Sequence, residues 1–503
     1  MLVELDRESD LPLYLQISNQ IRERIHTGDL AVGSKLPPER RLAAMLGVNR
    51  TTIVTAYREL AADGLVEGHV GRGTVVADPD PDTGQSSNHQ QIPWSQLFTS
   101  TTEVMNDPLL RDTTMISSRP DVISLATGIP SPELYPIELI RGLLDEALHT
   151  DGQALLQHCP TEGYWPLRSS LGDWMAGDGK PVDPENVLVV AGSQQGLYLL
   201  ARTLLDPDDL VVIESPTYLG ALQVFRAAGA RLLPIPVDSN GMRVGLLEDL
   251  LARRRPKLIY TLPSFQNPSG GTMNLDRRRR LLDLAERYRI PIIEDDPYSV
   301  LRYEGPALPT LHAMDQRGIV IHLSTFSKIL FPGFRIGWIA GPQPILKRLA
   351  LMKQIVDLDT NPLAQWAVWA LLDRGHLREH VEELQSIYPY RRDLMLEALQ
   401  RHCTGLLQWN RPHGGFYIWA RLTDGLRARD LLPEAARFGV SVAPGESFHV
   451  DDEGESTLRL NFTLPAAEEI DEGIRRLAGA IESLRSLRGT DDRKAREAVT
   501  PIV

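Results

Sequence analysis

The amino-acid sequence predicts an α/β protein with a small, mainly helical N-terminal domain and a large domain built on a mostly parallel central sheet. Apolar residues recur at helical spacing near the N-terminus, and strand-like runs alternate with helical ones from about residue 119 to 487. A polar segment separates the two regions. At 503 residues, the chain is long enough for roughly two to four domains.

Composition places the chain among ordinary globular proteins, because 42% of its residues are hydrophobic and 24% are charged. No uninterrupted apolar run approaches the roughly 18 to 20 residues that span a bilayer. The acidic start, MLVELDRESD, lacks the basic-then-apolar order of a signal peptide. Cys159 and Cys403 match no metal or redox spacing. We therefore expect a cytoplasmic protein with two incidental thiols and no metal site.

Four regions are predicted along the chain. A first domain is expected over 11–77, a linker over 78–118, the large domain over 119–487 and a flexible tail over 488–503. Residues 78–94 are rich in Asp, Pro, Ser and Gln and cannot bury a core. The whole chain carries a net charge of −13, whereas 11–77 holds eight Lys/Arg against six Asp/Glu. Charge alone therefore does not indicate DNA binding, which requires the basic residues to share a face.

Three helices are predicted in the first domain. Ile17, Ile21 and Ile25 recur every four residues in the first helix and therefore share one face. Gly47 follows the second helix in the position that a C-terminal capping glycine takes. The three helices are predicted over about 12–27, from Pro38 to Gly47, and from a capping Asn49 to about Asp63.

Two short strands, 64–67 and 73–76, follow these helices and form a predicted wing. N-terminal residues of such a third helix meet base edges in the major groove, and nearby Lys and Arg side chains bind phosphates. An arginine at the wing tip can enter a minor groove. The alternative is a surface helix hairpin with solvated arginines. The candidate DNA-binding residues are Lys35, Arg40, Arg41, Asn49, Arg50, Thr51, Thr52 and Arg72.

Residues 11–77 resemble the GntR-type winged helix-turn-helix domain throughout their length. The most specific matches are GSKLPPER at 33–40, GVNRTT at 47–52 and GRGT at 71–74. The resemblance implies that this domain binds double-stranded DNA at an operator.

The large domain alternates predicted strands with helical stretches such as 276–289. This alternation favours a largely parallel sheet covered by helices. Ligand sites in such sheets gather where the strands end. The strand candidates are 187–191, 210–213, 258–262, 290–293, 319–323 and 336–340.

Lys328 follows the strand candidate 319–323 and has hydroxyl and guanidinium groups near it in sequence. A lysine that forms a Schiff base must be held in a pocket, partly deprotonated, beside an aldehyde. Thr325 and Ser327 offer hydroxyls for a phosphate group, and Arg335 offers a guanidinium group that can donate two parallel hydrogen bonds to it. A lone lysine after a strand is usually a solvated surface residue. These neighbours instead favour a cofactor site.

Other predicted strands also end in polar motifs. Asp295 lies within Glu-Asp-Asp-Pro-Tyr at 294–298, where a carboxylate could pair with the pyridinium nitrogen of pyridoxal 5′-phosphate (PLP). Each motif is weak alone, because Asn-Pro and Asp-Pro are common turn pairs, but their order and spacing together are a stronger signal. The remaining candidates are Asn267 after a further strand, Tyr218 as a ring-stacking side chain, and Ser193 with Gln194 as a phosphate cradle at a helix N-terminus.

The region 119–487 resembles the fold-type I PLP-dependent aminotransferases over nearly its whole length. The resemblance implies a smaller C-terminal α/β subdomain and a site in which Lys328 carries PLP as an internal aldimine. It also implies that Arg459 grips the carboxylate of a substrate or effector and that 128–130 lies near that ligand. The further implied contacts are Asp295 to the pyridine nitrogen, Asn267 and Tyr298 to the ring hydroxyl, Tyr218 to the ring face, and Ser193, Gln194, Thr325, Ser327 and Arg335 to the phosphate.

One position departs from that family's pattern. His158 stands where the family usually has a tyrosine, which in relatives reaches the cofactor phosphate of the partner subunit. Either His158 substitutes as a donor or this contact is lost.

The order of a GntR-type domain, a linker and an aminotransferase-like domain resembles the MocR regulators. This resemblance implies a PLP-dependent transcription regulator that senses an amino compound or PLP itself. It also implies a homodimer, in which the DNA-binding domains can be swapped. The alternative is an active aminotransferase that acts on an amino acid with a keto acid acceptor, and weak transaminase activity is compatible with either function. An architectural dimer without a cofactor would leave the Lys328, Asp295 and Asn267 set unexplained.

Overall fold

The computed structural model describes residues 5, 11–69, 73–77, 99, 108–176, 181–450 and 453–497. The chain divides into two compact units, Met1–Asp112 and Thr113–Val503. Within the described residues, no helix is both long enough and apolar enough to cross a membrane.

The first unit contains the three predicted helices and the wing. Ile17 and Ile21 are buried as predicted, and Ile25 packs against the same cluster while remaining partly exposed. The wing strands pair antiparallel, with Val66 opposite Val76. The elements are α1 (Leu13–His26), α2 (Glu39–Leu46), α3 (Arg50–Ala62), β1 (Val66–His69) and β2 (Gly73–Val76).

The turn between α2 and α3 corrects one detail of the prediction. Gly47 ends α2 with a left-handed φ of 60°, as expected for a capping glycine. Asn49 occupies the N-cap position of α3, but its side chain makes no capping hydrogen bond. The backbone N–H of Thr52 donates instead to the Asn49 carbonyl, at 2.9 Å. The donor that a capping side chain would satisfy is therefore already paired.

The second unit contains two main sheets and a small strand pair. The eight-stranded sheet has the order β4-β11-β10-β9-β8-β5-β6-β7, in which β5, β6, β8, β9 and β10 are parallel. β4, β7 and β11 pair antiparallel with their neighbours. The strands are β3 (Ile123–Ser124), β4 (Val187–Val190), β5 (Leu210–Ser215), β6 (Arg231–Asp238), β7 (Gly241–Met242), β8 (Leu258–Thr261), β9 (Ile292–Asp295), β10 (Val320–Thr325), β11 (Gly337–Ala340), β12 (Leu407–Trp409), β13 (Tyr417–Leu422), β14 (Val440–Ser441), β15 (Ala443–Pro444) and β16 (Thr457–Asn461).

Helices connect these strands, and the division between the units falls within the first of them. The last helix extends beyond residue 488, where the sequence predicts the start of a flexible tail. The helices are α4 (Pro108–Ser117), α5 (Ile137–Leu155), α6 (Trp165–Ala176), α7 (Ser193–Leu204), α8 (Leu219–Ala227), α9 (Val244–Leu251), α10 (Leu275–Tyr288), α11 (Leu311–Met314), α12 (Gln343–Val356), α13 (Pro362–Asp373), α14 (His376–His402), α15 (Ala428–Arg437) and α16 (Ala467–Glu497).

The large sheet is buried on both faces, as alternate residues of β5 illustrate. Val211 and Ile213 pack in one cluster with Phe225 of α8, whereas Val212 packs in another cluster with Leu247 of α9. Period-two alternation sends neighbouring side chains to opposite faces of a sheet. The continuous apolar strands therefore form the middle of three layers, which confirms the predicted α/β architecture with a mostly parallel sheet.

A smaller antiparallel sheet, β12-β13-β16-β15, forms the C-terminal subdomain. Leu431 of α15 and Ile474 of α16 are fully buried. The two subdomains meet where Arg459 of β16 donates a hydrogen bond to Asn267, which follows β8. They also meet where the hydroxyl of Tyr298, which follows β9, lies 3.0 Å from the hydroxyl of Tyr417 in β13.

Candidate functional site

Lys328 lies in a short 3₁₀ turn, Phe326–Lys328, directly after β10. Its Nζ atom donates a hydrogen bond to the carbonyl of Gly128 at 2.6 Å, so the predicted 128–130 loop reaches the lysine. Burial lowers the pKa of Lys328, and the positive charges of Arg459 and Arg335 act in the same direction. Tyr417 and Asp295 oppose this shift. A lysine with a lowered pKa has more of the neutral amine that attacks an aldehyde.

Asp295 ends β9 and is only 2% exposed. Its Oδ2 atom accepts a hydrogen bond from the hydroxyl of Tyr260 at 2.7 Å. Its Oδ1 atom is buried and has no hydrogen-bond partner among the described residues. Burial raises the pKa of Asp295 to about 7. An unpaired buried oxygen is costly unless a ligand satisfies it, and the protonated ring nitrogen of PLP is a suitable donor.

Arg459 of β16 lies beside Asn267, another predicted site residue. Its Nη1 atom donates to Asn267 Oδ1 at 2.9 Å, and its Nη2 atom donates to the carbonyl of Ala126 at 2.6 Å. The guanidinium carbon lies 4.3 Å from the ring centre of Tyr417 and 4.8 Å from that of Phe448. Arg459 Nε is buried without a hydrogen-bond partner in the described part of the chain. The cation is therefore held between aromatic rings beside Asn267.

Two predicted tyrosines, Tyr218 and Tyr298, lie near enough to Arg459 for its charge to act on them. Tyr298 is buried, and its hydroxyl lies 3.0 Å from the Tyr417 hydroxyl. Tyr218 donates a hydrogen bond to Gln194 Oε1 at 3.0 Å. Burial raises the pKa of both Tyr218 and Tyr298, so both hydroxyls keep their protons. Tyr218 thereby connects the ring-stacking position to the predicted phosphate cradle.

The predicted phosphate ligands gather at the N-terminus of α7. Gly192 caps this helix with a φ of 82°, and Ser193 and Gln194 are its first residues. Arg335 Nη2 donates to the carbonyl of Ala191 at 3.1 Å, and its Nη1 atom lies 3.5 Å from Ser327 Oγ. A Cβ atom on Gly192 would lie 2.6 Å from Arg335 Nη2.

The hydroxyls of the Lys328 turn complete this cradle. Thr325 donates to Ser327 Oγ at 3.0 Å. Hydroxyls, a guanidinium group and the free N–H groups of a helix N-terminus together fit a phosphate. The residues present therefore suit PLP at both of its ends.

His158 does not join these contacts in the single chain. Its side chain is 80% exposed, and its Nδ1 atom lies 2.6 Å from Asp359 Oδ2. A surface position of this kind is open to a second subunit.

The candidate DNA-binding residues are placed on and around α2 and α3. Thr52 is half-buried, and Arg72 lies outside the described residues. Arg50 is paired with Glu39 of α2, whose Oε2 atom accepts from Nε at 3.1 Å and from Nη2 at 2.9 Å. This ion pair was not predicted. The exposed candidates are Lys35, Arg40, Arg41, Asn49, Arg50 and Thr51.

Sequence reasoning missed three aromatic residues of the site. Tyr260 lies within a buried strand, where an aromatic residue is most simply interpreted as core. Phe448 carries no motif. Tyr417 follows Gly414 and Gly415, and both glycines approach Phe265 so closely that a Cβ atom would clash with it. In the sequence, these two adjacent glycines are therefore the feature that could have indicated a closely packed site next to Tyr417.

Comparison with known proteins defines the class to which this fold and site belong. Residues 120–477 match the family "Aminotransferase class I and II", and residues 13–76 match "Bacterial regulatory proteins, gntR family". The crystal structure of Pyrococcus horikoshii kynurenine aminotransferase aligns with a TM-score of 0.74 at 40% identity, covering 78% of this chain and 98% of that chain.

Two curated relatives match both domains. The uncharacterized HTH-type transcriptional regulator YisV of Bacillus subtilis is 34% identical over 96% of this chain and 98% of its own length. The probable rhizopine catabolism regulatory protein MocR of Rhizobium meliloti is 31% identical over 97% of each chain. The chain therefore belongs to the class I and II aminotransferase family and, within it, to the MocR-type DNA-binding transcription regulators that carry an N-terminal GntR domain.

Proposed function

We propose that this regulator binds PLP at Lys328 and that occupancy of the site changes its affinity for an operator. The observation that carries the proposal is the unpaired Oδ1 atom of Asp295, buried in the same site as Lys328. A residue set that had lost its cofactor would have no reason to retain an unsatisfied buried carboxylate. The bound cofactor would supply an aldehyde and an electron-withdrawing ring.

Each residue has a proposed role toward that cofactor. Lys328 binds the aldehyde carbon, Asp295 the ring nitrogen, and Tyr218 the ring face. Asn267 and Tyr298 bind the ring hydroxyl. The phosphate is held by Ser193, Gln194, Thr325, Ser327 and Arg335, which surround the N-terminus of α7.

We propose a carboxylate-bearing amino compound, or PLP itself, as the effector. Arg459 is a buried cation 2.9 Å from Asn267, and its Nε atom is free to donate among the described residues. A ligand carboxylate that accepts a hydrogen bond from Arg459 would lie beside Asn267, which is proposed to bind the ring hydroxyl of the cofactor. The ligand can shift DNA binding only by its difference in affinity for two states of the protein.

We further propose that the protein is a homodimer. The end of α12 and the following loop expose several apolar side chains, and Ile355 is 80% exposed. This patch adjoins the phosphate cradle, because Gln195 Nε2 donates to Asp357 Oδ2 at 2.6 Å. His158 pairs with Asp359 on the same loop. A second subunit on this patch would lie near the cofactor phosphate. The exposed residues are Leu351, Ile355, Val356 and Leu358.

An active aminotransferase is the second candidate, because the set Lys328, Asp295 and Asn267 is complete. A PLP titration of the full chain, followed by its visible absorbance, tests cofactor binding. Lys328→Ala should lose the absorbance band of lysine-bound PLP, whereas Lys347→Ala, an exposed lysine of α12, should keep it. Amino-group transfer from an amino acid to a keto acid, without specific DNA binding, would favour the enzyme instead.

A further inference from the structure

Tyr260 links two neighbouring strands at the floor of the proposed cofactor site. It lies in β8, which pairs in parallel with β9, and its side chain is fully buried. The ring meets Phe225 edge-on, with centroids 5.5 Å apart and an interplanar angle of 73°. From this position the hydroxyl donates to Asp295 Oδ2 at 2.7 Å. Packing and the hydrogen bond together fix the phenol against the carboxylate.

This contact makes the two oxygens of Asp295 unequal. Oδ2 is occupied by Tyr260, whereas Oδ1 has no partner in the described residues. Burial and the nearby Asp295 charge raise the pKa of Tyr260 well above its usual value. The phenol therefore remains a hydrogen-bond donor over the whole physiological range and does not titrate as a histidine would.

We propose that Tyr260 is a positioning residue that turns Oδ1 of Asp295 toward the cofactor and holds Asp295 as an anion, so that the ring nitrogen of bound PLP keeps its proton. The inference rests on the proposed function, because it assumes that PLP binds here. A hydrogen bond to the charged form of an acid favours that form. When Asp295 is the anion, the proton shared between its carboxylate and the ring nitrogen of PLP resides on the nitrogen.

Several other charged or titratable groups act on Asp295. Asp296 opposes its ionisation, as burial does, whereas His322 and Lys328 favour it. Tyr260 acts through a direct hydrogen bond, and the other groups act through charge. Removing the phenol hydroxyl therefore changes one defined contact while the surrounding charges stay in place. The groups that interact with Asp295 are Glu214, Tyr218, Tyr260, Asp296, His322 and Lys328.

The test is solid-state ¹⁵N NMR of the full chain loaded with PLP labelled at the ring nitrogen, recorded as a function of pH. In Tyr260→Phe, the pH at which this nitrogen loses its proton should fall by about one to two units, the shift expected when a charged group loses one hydrogen bond. Tyr388→Phe is the matched control. Tyr388 is equally buried, and its hydroxyl has no hydrogen-bond partner among the described residues. This control should leave the titration unchanged.

A second variant keeps the proposal testable if Tyr260→Phe folds poorly. Incorporation of 3-fluorotyrosine at position 260 makes the phenol a stronger donor and should shift the same titration to higher pH. An unchanged nitrogen titration in either variant that folds and binds PLP would overturn the role of Tyr260 alone. Absence of PLP binding in the unmodified protein would instead overturn the proposed function on which it rests.

Discussion

Asp295 is the residue at which the energetics of folding and of ligand binding conflict most clearly. Its carboxyl group is buried, and its pKa is raised to about 7, mainly by loss of solvation. A raised pKa means that the folded chain favours the neutral acid, whereas the unfolded chain favours the anion above about pH 4. Stability is therefore lost as the pH rises from about 4 to about 7, and the loss is complete above that range.

Asp295→Asn should remove this pH-dependent cost from the PLP-free protein. Because asparagine does not ionise, the free energy of unfolding of the variant, relative to the unmodified chain, should rise by about 2 to 3 kcal/mol between pH 5 and pH 8. Urea unfolding at the two pH values measures this difference. Asp249→Asn, at an exposed position on α9, is the control and should show no such rise. A pH-independent difference for Asp295→Asn would mean that the pKa of Asp295 is not raised in the PLP-free folded chain.

At the scale of the element, the N-terminus of α7 is shaped by one glycine. Gly192 adopts a φ of 82°, which residues with a side chain rarely adopt, and an added Cβ atom would lie 2.6 Å from Arg335 Nη2. An added methyl group would displace either the guanidinium or the loop that holds Ser193.

Gly192→Ala should therefore weaken PLP binding by at least about tenfold, since the phosphate would lose charged hydrogen bonds that each contribute about 1.5 kcal/mol or more. Fluorescence or absorbance titration with PLP measures the change. The control is Gly245→Ala, in the first turn of α9, where an added Cβ would meet nothing within 4 Å. Tight PLP binding by Gly192→Ala would show that the phosphate does not bind at this helix.

The helices of the first unit hold Arg50, a candidate DNA contact, in an ion pair with Glu39. Glu39 at the start of α2 accepts two hydrogen bonds from Arg50 at the start of α3. Both side chains are substantially exposed, so the pair itself contributes little stability. We therefore predict that Arg50 can exchange Glu39 for a guanine or a phosphate at small cost.

At the scale of the whole molecule, the apolar patch beside the phosphate cradle is the proposed subunit interface. Ile355→Asp should convert the dimer into a monomer at micromolar concentration. The two copies of Ile355 that the proposed interface would bury together contribute about 3 to 6 kcal/mol to the free energy of association. Light scattering coupled to size exclusion measures the mass. Leu246→Asp, at an exposed position of α9, is the matched control and should remain dimeric. A dimeric Ile355→Asp protein would place the interface elsewhere.

The sequence predicted those parts of the structure that depend on neighbours along the chain. The helices of the first unit, the buried strands and the polar motifs at strand ends were predicted from local spacing, whereas the role of Arg459 was implied only by the resemblance to the aminotransferases. Pairings between distant residues were not, because they depend on strand order and register. Asp295 and Tyr260 meet only because β8 lies beside β9, and Arg459 reaches Asn267 across 192 positions. The reversed direction of β7 and β11 in the large sheet likewise has no local signature.

The most direct test of the central claim is fluorescence anisotropy with the DNA upstream of the gene that encodes this chain. The measurement uses about 150 mM salt and excess competitor DNA, because non-specific phosphate binding weakens as salt rises. The full chain is compared with and without PLP, together with Arg50→Ala and with Arg58→Ala as the control from the far half of α3. We predict competitor-resistant binding that changes with PLP, falls about 10- to 100-fold in Arg50→Ala and persists in Arg58→Ala. Specific binding that is indifferent to PLP, or no specific binding alongside transaminase turnover, would contradict a cofactor-linked regulator.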